Sequence, residues 1–381
     1  MRTTPWSRPA EPAGGSEAGS RIRLAARVRP GNPLAAALTA AAVLFTPGCT
    51  GPTTGGPESA ATGPSVATAP SGQTAAASPV DTEPPSPAPA PTTVASSATA
   101  SSTTASVTVR TVQLDHGVAD EASGIAVATS TPDRFFLVDD GTGASTLAVV
   151  DEQGALVARV DLAGMAAANA EALAAGPCGP VPGPAATTCL YVGDIGDNRE
   201  QRDDIVVYRA AEPDLSDTGP QVSVDADEWH YRYPDGPHNA ESMLVEPDGS
   251  LLVITKPKNG APHRMYRGDP GGGELAFVRE FQIPGSPRPM RTILTGNVAT
   301  DLAVTPGRVL LLTYDDVHEY TAPDPSADLT TFPDWPVRSL PLPHLPQAEG
   351  IAGAADGCGY VVASEAGPVG TAGSLGIATC G

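Results

Sequence analysis

For residues 106–381 the sequence predicts an all-β fold of the β-propeller kind, and three observations carry that expectation. Short β-prone runs broken by Gly, Pro and Asp recur from Ser106 to Gly381, and helical periodicity is scarce. Five segments repeat one pattern, spaced by roughly 50 to 70 residues, the spacing of propeller blades. The last segment lacks one strand, and a run at the start of the domain is available to supply it.

The chain begins differently. Residues 1–30 carry six arginines against Glu11 and Glu17, and the uncharged apolar run "LAAALTAAAVLF" follows at Leu34–Phe45. Twelve residues are too few to cross a bilayer, which takes about 20. A basic region followed by a short apolar one is the pattern of an export signal. The run continues into "TPGCT", and this stretch resembles a bacterial lipoprotein signal, in which a small residue precedes a cysteine that receives diacylglycerol. Gly48 and Cys49 fit that pattern; Thr46 and Pro47 depart from its usual Leu and small residue. The resemblance implies that residues 1–48 are removed and that Cys49 carries a lipid. The chain is then exported and held at the membrane, facing the extracytoplasmic side.

From Thr50 to Ala105 the chain is almost entirely Ala, Ser, Thr, Pro and Gly, with Glu58, Asp81 and Glu83 as its only charges and no aromatic residue. Such a composition cannot bury a core, so residues 49–105 are expected to be a disordered tether. The whole chain carries 22 basic and 43 acidic residues, net −21; without residues 1–30 the figures are 16 and 41, net −25. An excess of acid this large argues against binding nucleic acid and permits cations and basic ligands.

The repeated segments are "EASGIAVATSTPDRFFLVDD", "NAEALAAGPCG…TTCLYVGD", "NAESMLVEPDGSLLVITK", "VATDLAVTPGRVLLLTYD" and "QAEGIAGAADGCGYVVASE". Each holds a short apolar strand, a turn, and a strongly apolar strand ending in a charge. A third run follows each ("TLAVVD", "IVVYR", "HRMYR", "VHEYTA", "LGIATC"), and a fourth precedes the next unit ("LVARVDLAG", "WHYRYPDG", "FVREFQIPG", "VRSLPLPHL"). The fifth unit stops after three strands, and "VTVRTVQLD", Val107–Asp115, supplies the fourth and closes the ring, which removes a sheet edge. The expectation is five four-stranded blades. Six is the alternative, since Leu215–Trp229 and Phe332–Arg338 are long enough to hide further strands. Met165–Ala175 is the single Ala-rich helix candidate.

These repeats, with "YVGDIGDNR", "YRYPDGPHNAES" and "QAEGIA", resemble a group of secreted bacterial β-propeller proteins loosely related to NHL and WD40-like propellers. The resemblance covers about residues 107–381. It implies a fold and a location and brings no activity with it.

Four cysteines follow Cys49. Cys178 and Cys189 flank a turn between the first two strands of the second unit. Cys358 begins the second strand of the fifth unit, and Cys380 ends its third. Neighbouring antiparallel strands put the start of one beside the end of the other, so the pairs 178–189 and 358–380 are expected. Each is worth about 3 kcal/mol in an exported protein.

Familiar catalytic motifs are absent: there is no G-x-S-x-G, H-E-x-x-H, P-loop, C-x-x-C or EF-hand loop, and the six histidines are scattered. His238, in "PDGPHNAE", reads as a turn residue. The repeats give a better lead. The start of the first strand lies beside the end of the second, and the first strand of a blade lines the central channel, so these positions meet at one mouth. They are Ser123, Glu171, Glu241, Thr300 and Glu349, then Asp140, Asp194, Lys256, Asp315 and Glu365. Glu171, Asp194 and Glu241 from this set, with Asp197 nearby in sequence, are expected to hold a hard cation such as Ca²⁺, which takes six to eight oxygens. Asp140, Lys256, Asp315, Glu349 and Glu365 are expected to contact a ligand, either a small molecule or a protein. The leading function is a membrane-anchored binding or scaffolding module, more readily than an enzyme. The alternatives are a metal-assisted hydrolase of esters or phosphate esters, and a structural surface lipoprotein without a ligand.

The first test concerns the anchor. Cys49→Ser is expected to move the protein from the membrane fraction to the soluble extracytoplasmic fraction; unchanged membrane association of that variant sinks the lipid assignment.

Overall fold

A computed structural model of the chain describes residues 107–381 apart from 180–187, 217–218, 287–296 and 368–370. The signal segment, Cys49 and the tether lie outside the described residues, as does most of the turn between Cys178 and Cys189.

The described residues fold into antiparallel four-stranded meanders, each entered by its innermost strand. The first comprises β2 (Ala122–Val127), β3 (Arg134–Asp139), β4 (Thr146–Asp151) and β5 (Leu156–Ala163). The second comprises β6 (Ala172–Pro177), β7 (Thr188–Asp194), β8 (Ile205–Ala211) and β9 (Gln221–Arg232). The third is β10 (Ala240–Val245), β11 (Leu251–Thr255), β12 (His263–Gly268) and β14 (Ala276–Phe281), with the two-residue β13 (Gly273–Glu274) beside β9. The fourth is β15 (Ala299–Thr305), β16 (Arg308–Thr313), β17 (Val317–Thr321) and β18 (Val337–Leu340). The fifth is β19 (Ala348–Gly353), β20 (Tyr360–Ser364) and β21 (Ser374–Cys380), completed by β1 (Val107–Gln113). β1 pairs with β21 along its whole length, from Val107 opposite Cys380 to Gln113 opposite Ser374. The fold is a β-propeller.

Three details differ from the expectation. Met165–Ala175 is not helical; its last residues begin β6. Leu215–Trp229 contributes most of the unusually long outer strand β9, whose first half pairs in parallel with β5, so the first two meanders share one eight-strand ladder. The interval before Arg338 holds a short 3-10 helix, Leu329–Asp334, capped by Asp328.

The long apolar runs follow from burial on both faces. In β16, Val309 and Leu311 pack toward the third sheet with Leu252 and Ile254, while Leu310 and Leu312 pack toward the fifth with Tyr360 and Val362. An apolar cluster fills each interface around the ring, first with second, second with third, and so on to the fifth with the first. Each sheet is therefore sandwiched, and strands with apolar residues at every position are the ones that fit. Both disulfides form as expected, Cys178–Cys189 and Cys358–Cys380, with Cα separations of 4.9 and 6.1 Å.

The innermost strands β2, β6, β10, β15 and β19 neighbour one another in a closed circuit. Beyond their first residues they line a narrow cavity of about 100 Å³, among whose walls are the side chains of Ile125, Leu173, Leu244, Leu302 and Ile351. The circuit is tight where β2 passes β6: a Cβ on Gly124 would lie 2.5 Å from the backbone nitrogen of Leu173. Gly124→Ala is expected to lower stability by about 1–3 kcal/mol through that backbone clash. A melting temperature equal to wild type would show that the circuit has slack.

Candidate functional site

At the other end of this axis the same strands carry an irregularity at one recurrent position. The ladders of β2, β10, β15 and β19 with their partners each shift register at their first residues, at Ser123, Glu241, Thr300 and Glu349. A bulge frees one residue from the ladder and re-aims its side chain. In the second sheet Glu171 takes this place just ahead of β6, its amide donating to Gly193 O at 2.8 Å. Glu171, Glu241 and Glu349 are 8, 5 and 6% exposed, so three carboxylates from three sheets are nearly withdrawn from water.

Ladder register also fixes what faces them. The residues opposite the position after each bulge are Val138, Gly193, Ile254, Leu312 and Ala363. Two residues further on stand Asp140, Ile195, Lys256, Tyr314 and Glu365. Three of the expected mouth residues therefore hold these places, and two do not. In the fourth sheet the place belongs to Tyr314; Asp315 follows it, its amide on Thr313 Oγ1 at 3.3 Å. In the second, Asp194 is one residue early. Its oxygens accept from the amides of Ala168 and Asn169, both at 2.9 Å, and Arg202 Nη1 lies 2.7 Å from Oδ1. Ser364 has the equivalent duty in the fifth sheet, accepting from the Gln347 amide at 2.9 Å. Asp197 closes its own loop, accepting from the amides of Gln201 and Arg202 at 2.6 and 2.7 Å.

The residues that converge form a connected chain. Lys256 Nζ is paired with Glu241 Oε2 and donates to Tyr314 Oη at 2.7 Å, and the Tyr314 ring lies beneath it at 4.9 Å. Tyr314 Oη donates to Glu349 Oε1 at 3.0 Å, and Gln347 Nε2 donates to the same oxygen at 2.8 Å. The third, fourth and fifth sheets are thus joined across the mouth. Glu171 has a neutral partner instead, Asn169 Nδ2 at 2.6 Å. Gly196 makes this possible: a Cβ there would sit 1.9 Å from Asn169 Nδ2 and 2.7 Å from Glu171 Cγ.

Electrostatics follow from these partners. Burial, reinforced by Glu241 and Glu349, pushes the Glu171 carboxyl up to about 9. Burial raises Glu241 as well, to about 7, because Lys256 holds it back. Glu349 is raised by burial against the pull of Lys256. Glu365 is pushed to about 8 by burial and by Glu349 and Asp140, and Asp140 is raised by burial and by Glu121. Burial alone would lower Lys256, but Glu241, Glu349 and Tyr314 outweigh it and hold the ammonium charged. Below the mouth, Asp301 is fully buried and accepts from the amides of Leu302 and Ile351, both at 2.8 Å, which ties β15 to β19. Burial raises its carboxyl far above the usual range.

Among the described residues no group of three or more His, Cys, Asp and Glu is arranged to hold a metal ion. The expected Ca²⁺ set is divided: Glu171 and Glu241 belong to the mouth, while Asp194 and Asp197 are occupied by backbone amides and Arg202. Sequence reasoning missed Tyr314, Asn169 and Gln347. His238 is a turn residue, bonded to Asp235 at 3.1 Å and to Tyr266 Oη at 2.9 Å.

No family model and no curated protein matches the chain. Solved structures similar to it include virginiamycin B lyase from Staphylococcus aureus, at 11% identity over 72% of this chain and 99% of that one, TM-score 0.34. Another is Myxococcus xanthus glutaminyl cyclase, at 14% identity over 72% and 95%, TM-score 0.38. The β-propeller domain of Cps50 (Swd1) from Myceliophteria thermophila is a third, at 10% identity over 68% and 84%, TM-score 0.32. Likeness at this level carries neither an activity nor a ligand across.

The Glu171 proton has a measurable consequence. A carboxyl raised in the folded state contributes stability below the usual carboxylate range, and that contribution is lost as pH climbs toward 9. Glu171→Gln cannot lose a proton. Melting temperatures measured from about pH 5 to about pH 9 are therefore expected to fall less for this variant than for wild type. Parallel curves would show that Glu171 is ionised throughout.

Proposed function

We propose that the protein is an exported, lipid-anchored, five-bladed β-propeller that acts as a binding module, taking a positively charged ligand at its acidic mouth. The five meanders, the five filled interfaces and the closing pair of β1 with β21 support the blade number. The signal-like N-terminus, the tether and two disulfides support the location.

One observation carries the binding reading: Glu171, Glu241 and Glu349, from three separate sheets, are brought together nearly out of water with Lys256 as the single cation paired with them among the described residues. Packing alone has no use for three such carboxylates, since apolar residues at the same places would fold at lower cost. A cation entering the mouth offsets their mutual repulsion and binds the folded state alone, which raises its stability. The test is a thermal-shift screen of the full-length protein against Ca²⁺, Mg²⁺, small amines and basic peptides. At least one cationic probe is expected to raise the melting temperature in wild type and to lose that effect in Glu241→Gln/Glu349→Gln. If no cation shifts the melt, or if the double variant responds like wild type, the mouth is not the binding site. Turnover of esters or phosphate esters by wild type but not by the double variant would turn the reading toward a hydrolase.

A further inference from the structure

Resting on the mouth as a binding site, we infer that its ligand presents a primary ammonium, R–NH₃⁺, on a slim small molecule, held by single oxygens of Glu171, Glu241 and Glu349 and by the hydroxyl of Thr300. The first support is how the carboxylates are already used. Asn169 occupies Oε1 of Glu171, Lys256 occupies Oε2 of Glu241, and Tyr314 with Gln347 occupies Oε1 of Glu349. Among the described residues no hydrogen bond reaches the second oxygen of Glu171 or of Glu349, while Glu241 takes a further side-chain hydrogen bond from Asn239. What remains is one oxygen each from Glu171 and Glu349, with the Glu241 carboxylate beside them. A guanidinium is planar and prefers both oxygens of one carboxylate; an ammonium spreads three N–H groups over a cone and takes one acceptor along each.

The second support is independent of the acids. Thr300 is 0% exposed and its Oγ1 has no hydrogen-bond partner. It holds the bulge position of β15, and β15 lies between β10 and β19 in the inner circuit, so its place is between Glu241 and Glu349. A buried hydroxyl without a partner is destabilising, and its retention at this spot is accounted for by a ligand that supplies the missing bond. Among cations, one that carries an N–H can donate to the hydroxyl's lone pairs, and a quaternary ammonium cannot.

The third support is the ammonium already there. Lys256 Nζ has a carboxylate, a hydroxyl and an aromatic face around it, which is a complete environment for –NH₃⁺ built from the same residues. A divalent ion fits less well: Lys256 would repel it, and Asp194 and Asp197 are committed elsewhere. The narrow exposure of the three glutamates admits a thin cation in preference to a bulky one.

The experiment is calorimetric titration of the full-length protein with n-butylamine and 1,4-diaminobutane. The comparison probes are n-butyltrimethylammonium, n-butylguanidine and Ca²⁺. The amines are expected to bind, with affinity falling about tenfold or more in Glu349→Gln and several-fold in the near-isosteric Thr300→Val. n-Butyltrimethylammonium, with the same charge and no N–H, is expected to bind at least about tenfold more weakly than n-butylamine. Thermal melts of each variant establish that it is folded. If the trimethylated amine, the guanidine or Ca²⁺ binds as well as the amines and still depends on Glu349, the ammonium inference fails and the mouth remains a binding site. If no probe binds, or if binding ignores Glu349, both fail.

Discussion

The pairing of β1 with β21 is the constraint on which the rest of the molecule depends. A ring of sheets has one seam, and here the seam lies inside the last sheet, between the first strand of the domain and the last. Were it open, β21 would present a free edge and the cluster formed by Ile125, Leu137, Val361 and Ile377 would lose Val112, which β1 packs against it. Closure also brings the inner strands within backbone contact, and Gly124 and Gly350 are the residues that permit it: a Cβ on Gly350 would lie 3.0 Å from the nitrogen of Ile125. Every residue of the mouth is placed by that circuit. Glu171, Glu241 and Glu349 are separated by roughly 70 or more residues in sequence and meet only because the ring is shut.

The bulge is the second device, and it resolves a conflict. The inner strands need apolar residues to pack on their neighbours, yet the site needs charge on the axis. A register shift at the first residues of β2, β10, β15 and β19 frees one side chain from the ladder without disturbing the apolar alternation after it. Along the axis the polarity then changes within one strand, from Glu241 at the mouth to Leu244 in the cavity. At the mouth, burial and the neighbouring carboxylates together raise Glu171 and Glu241.

Much of the fold was legible in the sequence, and for a physical reason. Strands buried on both faces, such as "VLLLT" in β16, leave continuous apolar runs that turns interrupt at regular intervals, and both disulfides followed from strand adjacency alone. The mouth was legible only in part. An acid was sought at each strand end, which selected Asp315 and Asp194; register selects Tyr314 and Ile195 instead. The clue was present in a less conspicuous residue. Thr255, Thr313 and Ser364 mark the last ladder position of their strands, and the residue after each is the one at the mouth. Asn169 and Gln347 were passed over because they carry no charge and the search was for acids at the strand ends. Their roles depend on which oxygen of which glutamate they reach, and that is a matter of tertiary distance.

The comparison of "NAEA" with "NAES" shows how one motif yields two electrostatic outcomes. In the third sheet Asn239 accepts from the Asp197 amide at 2.6 Å, and Lys256 adds an ion pair to Glu241. In the second sheet Gly196 offers no side chain near that position, Asn169 stays, and Glu171 is left with a neutral donor. An ion pair and an amide pair thus sit on neighbouring sheets around one axis. The first keeps a charge where it is needed to brace Tyr314 and Glu349. The second keeps a proton where a charge would face two other carboxylates. The mouth is therefore lopsided by construction, its cation on the side of the third and fourth sheets and a carboxyl pushed up to about 9 on the second. A ligand entering it meets fixed positive charge on one flank and carboxyl oxygens on the other, so it must enter in one orientation.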